Sequence, residues 1–94
     1  MATKQTTSKC PVKIGKTVFI RSVNLYYVGR IIELQDKYIV LEKAAWIADT
    51  GRFSVALASG VFSEVEPYPG IVAVSIGGIM DVCEYSHPVP LALK

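Results

Sequence analysis

One helical stretch interrupts a chain otherwise made of short β-branched and aromatic runs, and that interruption limits the folds open to it. The run Ala44-Ala45-Trp46-Ile47-Ala48-Asp49-Thr50-Gly51-Arg52-Phe53 leads into Ser54-Val55-Ala56-Leu57-Ala58-Ser59-Gly60. Asp49 and Thr50 are good helix N-cap residues, Phe53, Ala56 and Leu57 recur at helical spacing, and Gly60 fits a C-terminal stop. The spacing predicts a short helix over residues 52–59. The flanking segments read as strands, with expected spans 16–23, 26–34, 38–43, 71–76 and 79–85. Residues 61–65 are ambiguous between strand and loop, and Glu66-Pro67-Tyr68-Pro69-Gly70 is a breaker cluster. Gly29, in the middle of the second run, marks a bulge or sharp bend of the kind small barrels need at a corner. The expected fold is mainly β: a small, five-stranded, strongly bent antiparallel barrel of SH3/Sm-like form, with one short helix inserted after strand 3.

Three segments follow: a polar tail over residues 1–11, a barrel domain over 12–86 and an extended tail over 87–94. Pro88 and Pro90 bar the last from an inner strand, and it is expected to lie over a neighbouring subunit. The apolar fraction, 51% against 19% charged, is high for a 94-residue monomer. It points to a symmetric homo-oligomer with an even copy number. No apolar run approaches the ~20 residues of a membrane span, so no membrane partner and a cytoplasmic location are expected. The net charge is +2 with scattered basic residues, so a nucleic-acid coat is not expected either.

Catalytic constellations are missing. The single histidine, His87, sits in the Pro-flanked tail, the carboxylates lack a ligand spacing, and Cys10 and Cys83 read as unlinked thiols. No metal, cofactor or enzymatic activity is expected. What remains is a set of flat rings and forked cations. Trp46, Phe53 and Tyr27 can stack on a base, while Arg21, Arg30 and Arg52 can clasp a phosphate. The helix start, with Asp49 and the Thr50 hydroxyl beside it, offers the remaining polar groups. The predicted site is therefore Trp46, Thr50, Arg52, Phe53, Arg30, Arg21, Tyr27 and Asp49, and its ligand a small anionic nucleotide. The structural alternative is that Trp46 and Phe53 plug one end of a barrel, Asp49 caps the helix, and Arg30 pairs with Glu33 or Glu42.

Two resemblances add to this. Gly15-Lys16-Thr17-Val18-Phe19-Ile20-Arg21, followed by Tyr27-Val28-Gly29-Arg30-Ile31-Ile32-Glu33-Leu34-Gln35-Asp36, resembles the first strands of an Sm-like or SH3-like small barrel. Val74-Ser75-Ile76-Gly77-Gly78 lacks the Arg-Gly pair of the second Sm signature, so the likeness implies topology rather than ring-type RNA binding. Tyr26-Tyr27-Val28-Gly29-Arg30, together with Leu41-Glu42-Lys43 and the run 44–53, resembles a family of small phage and prophage proteins. Small oligomeric phage proteins of this kind include anti-defence sponges that sequester the nucleotide signals of the Thoeris and CBASS immune systems. The resemblance implies that role, with Trp46, Thr50, Arg52 and Phe53 in the pocket. The alternatives are a module binding single-stranded RNA or a protein partner, and a phage structural or assembly component.

Overall fold

The computed structural model describes residues 9–23 and 25–89. The chain runs β1 (Thr17–Ser22), β2 (Tyr26–Leu34), β3 (Tyr38–Asp49), α1 (Phe53–Ser59), β4 (Glu64–Pro67), β5 (Val72–Ser75), a 3₁₀ turn (Ile76–Gly78) and β6 (Ile79–Glu84). All pairings are antiparallel, in the order β4-β3-β2-β1-β6, with β5 also on β3. The mainly β reading with one helix after strand 3 holds. Two details of the sequence expectation change. Among the described residues the sheet has six strands, because Glu64–Pro67 pairs with the far half of β3. It is also open: among the described residues no ladder joins β6 to β4 or β5.

β3 is twice the expected length, and its outer edge serves two partners. Tyr38 to Leu41 pair with β5, and Ala45 to Asp49 pair with β4. Between these halves Lys43 takes a left-handed φ of 48°. Opposite it sits Gly29, where the β2–β3 register shifts as Val28↔Ala45 gives way to Arg30↔Glu42. One residue of β2 thus faces two of β3, which is the bulge that turns the sheet.

The bend leaves apolar clusters on both faces. Phe19, Val28, Ala45, Ile47, Ala56, Phe62, Val65 and Tyr85 form the first, beneath α1. Val18, Ile20, Ile31, Ile39, Leu41, Ala44 and Val74 form the second, inside the curl of the sheet. Alternation along β1 sends Phe19 one way and Val18 and Ile20 the other. After Glu84 the chain folds back over α1. A His87 ring nitrogen lies 3.1 Å from the Leu57 carbonyl, and Val89 packs against the first cluster. Gly60 ends α1 at φ 76°, and a Cβ there would come within 2.7 Å of His87. The start of the expected extended tail is therefore docked, while residues 90–94, like 1–8, lie outside the described residues.

Tyr85 carries an unusual group for an apolar cluster. Its hydroxyl is buried without a hydrogen-bond partner among the described residues, and burial pushes the phenol pKa above its ordinary value. An unsatisfied buried hydroxyl costs about 1–3 kcal/mol. Tyr85→Phe is expected to raise stability by about 1 kcal/mol in urea unfolding at neutral pH. The unfolded phenol ionises near its usual value while the folded one keeps its proton, so wild-type stability falls as pH rises past about 10. That loss should be smaller in Tyr85→Phe. It should not vanish, because burial also raises Tyr68.

Candidate functional site

The Asp-Thr-Gly-Arg segment links the end of β3 to α1. Asp49 does not cap the helix: its Oδ1 accepts the Gly51 N–H at 2.8 Å, closing a tight turn in which Gly51 has φ 73°. The N-cap position belongs to Arg52, which provides no side-chain cap, and its carbonyl accepts the Ala56 N–H. Thr50 is buried, its hydroxyl donating to the Gly51 carbonyl at 2.9 Å. This turn opens onto a hollow of about 390 Å³ lined by Thr50, Arg52, Val55, Ser59, Val61 and Ser63, with Ala56 and Phe62 at its apolar side.

Of the three arginines, two are held by carboxylates. Arg21 donates through Nε and Nη2 to a single oxygen of Asp81, and this bond, with the charge of Asp81, raises the guanidinium pKa above its usual value. Arg30 bonds Glu42, one of its two expected partners. Arg52 is exposed and has no ion pair or hydrogen bond from its side chain among the described residues.

The predicted residues fall into separate groups. Thr50 and Arg52 share the hollow, with Asp49 in the turn beside it. Phe53 lies on the α1 face, its ring 5.9 Å from Phe19 and 6.3 Å from Tyr26, with the Arg21 guanidinium 5.8 Å from its centroid. Trp46 is half-buried on the other face, in the cross-strand row Val82–Ile20–Tyr27–Trp46–Glu66. Tyr27 stacks on Tyr68 at 6.4 Å. The indole is thus neither sealed in the core nor placed beside Arg52, and Arg30 stands apart with Glu42. Ser59 and Ser63 line the hollow without having been singled out from sequence. Ser63 arrives because its N–H bonds the Asp49 carbonyl across the loop, a contact with no local signature.

The remaining chemistry is sparse. No disulfide joins Cys10 to Cys83, and burial, followed by the charge of Asp81, pushes the Cys83 thiol pKa up. Among the described residues no group of three or more His, Cys, Asp or Glu is placed to hold a metal, and no helix is long and apolar enough to cross a membrane. No protein-family model matches the chain, and no curated protein matches it.

Proposed function

We propose that this chain is a non-enzymatic phage anti-defence protein. In this reading it binds a nucleotide-derived immune signal, a cyclic oligonucleotide or cyclic ADP-ribose derivative, in the host cytoplasm and withholds it without cleaving it. The phage connection rests on the sequence resemblance. The binding site rests on Arg52, a guanidinium with no partner among the described residues, at the mouth of a hollow also lined by the hydroxyl-bearing residues Thr50, Ser59 and Ser63. A guanidinium without a carboxylate among the described residues, while Arg21 and Arg30 each have one, is suited to a forked bond with phosphate. A sponge acts by stoichiometry, so it needs affinity and no catalytic group. The curl that brings Val74 of β5 and Val82 of β6 to one cluster supports kinship with the small barrels.

Calorimetry with cyclic di- and trinucleotides and cyclic ADP-ribose tests this. A charged hydrogen bond contributes about 1.5–3 kcal/mol, so Arg52→Ala should weaken binding roughly 10- to 100-fold. Arg52→Lys should fall between, keeping the charge and losing the fork. Trp46→Ala, on the opposite face, measures the stacking part: unchanged affinity confines the site to the hollow. Equal binding by wild type and Arg52→Ala, or no binding to any of these ligands, would refute the assignment.

A further inference from the structure

We propose that the apolar cleft at the open side of the sheet receives residues 90–94 of a second copy of this chain. The cleft encloses about 400 Å³ and is lined almost wholly by aliphatic side chains, among them Val12, Leu34, Ile39, Ile76, Ile79 and Val82. Leu34 and Ile76 are 43% and 42% exposed, so the rim is apolar as well. The size is that of a ligand or peptide subsite. The nearby sheet edge is also unsatisfied. β6 supplies Ile79 and Val82 and pairs only through β1 among the described residues, so its outer backbone groups can take another strand.

The occupant follows from composition. Residues 1–8, Met-Ala-Thr-Lys-Gln-Thr-Thr-Ser, have almost nothing to offer an aliphatic cleft, whereas residues 90–94 read Pro-Leu-Ala-Leu-Lys. In an extended segment Leu91 and Leu93 point to one side, about 6.6–6.8 Å apart. Pro90 lacks an N–H, but the residues after it can still bond an edge. Lys94 then follows the second leucine. At the cleft, the lining residue Gln35 donates to the Glu33 carboxylate and stands beside exposed Asp36, so two carboxylates lie close to the rim.

The donor is another copy because of where Val89 lies. It packs on the α1 face, while the cleft belongs to the cluster on the opposite face. Five residues span at most about 18 Å, and the chain would have to round the sheet edge before entering its own cleft. Reciprocal exchange between two copies closes the assembly with two-fold symmetry. This inference does not depend on nucleotide binding.

Sedimentation of the full chain, of a chain ending at Val89, and of the full-length double substitution Leu91→Asp/Leu93→Asp tests it, with circular dichroism reporting folding. The full chain is expected at dimer mass, and both variants, still folded, should associate at least tenfold more weakly. A synthetic Val-Pro-Leu-Ala-Leu-Lys peptide should bind the shortened chain and lose that binding with Ile76→Arg. A shortened chain that keeps the dimer mass overturns the proposal. So does a monomeric full chain, including one whose shortened form alone takes up peptide, which would put the segment in its own cleft.

Discussion

Phe19→Ala is expected to bring the protein to the edge of unfolding. The ring is 1% exposed and meets Tyr26 at 5.6 Å, Phe53 at 5.9 Å, Phe62 at 6.0 Å and Tyr85 at 6.5 Å. Those partners come from β2, α1, the segment after α1, and the segment after β6. Truncating a core phenylalanine costs about 3–5 kcal/mol, much of a typical 5–15 kcal/mol total. For a domain of this size that lowers the melting temperature by about 12 °C or more. Urea unfolding gives the magnitude, and limited proteolysis gives the location. Cleavage should appear first around α1, because the helix rests on the sheet through Phe53, Ala56 and Leu57 and has no side-chain cap. A loss under 1 kcal/mol would mean that the cluster does not hold α1 in place.

Gly29→Ala is the second large effect, and it acts by crowding. A Cβ at residue 29 would stand 2.8 Å from the Ala44 Cβ, 3.1 Å from the Ala44 Cα and 3.2 Å from the Leu41 Cβ. None of these is the far end of a flexible side chain, so the two strands must separate where the sheet bends. Overpacking costs about 1–3 kcal/mol, and the bulge has little room to absorb it. The melting temperature should fall by about 8–16 °C for a 2 kcal/mol loss. Ala44→Gly in the same chain removes the closest contact and should restore part of the stability, leaving the Cα and Leu41 contacts. No rescue in the double variant would place the cost elsewhere than at this crossing.

These two residues also mark how much the sequence disclosed. Gly29 inside a long β-branched run is a local signal for a bend, and the bend is there. The strand runs needed only residue type and alternation, and β1, β2, β5 and β6 lie at the expected places with ends differing by one residue at most. Ser59 and Gly60 fixed the end of α1. Local signals failed where a partner decides the conformation. Residues 61–65 read as ambiguous between strand and loop and Glu66-Pro67 as the start of a breaker, yet β3 holds Glu64–Pro67 as a strand. Ala44 and Ala45 have weak β preference, but pairing on both sides carries β3 through them to Asp49. Asp49, a good cap by type, bonds the Gly51 N–H before the helix begins.

The candidate site was less legible for the same reason. Which side of a sheet a ring occupies depends on register, and each bulge reverses the alternation. Thr50 and Arg52 are two positions apart in sequence and stay together. Trp46 and Phe53 lie seven positions apart, and one projects from β3 and the other from α1 on the opposite side. The Arg30–Glu42 pair joins neighbouring strands and was one of two options. Arg21–Asp81 joins residues sixty positions apart and had no local trace.

The order of strands has a consequence for synthesis. β1 is made early, but its second neighbour is β6, made last. Until Ile79–Glu84 has emerged, one flank of Thr17–Ser22 lacks its ladder, and Phe19 and Ile20 lack their cross-strand partners Cys83 and Val82. The β1–β6 ladder can form only after the strands between them have been made, so neighbouring chains on one message can pair through that flank first. The yield of folded product should therefore depend on chaperone supply.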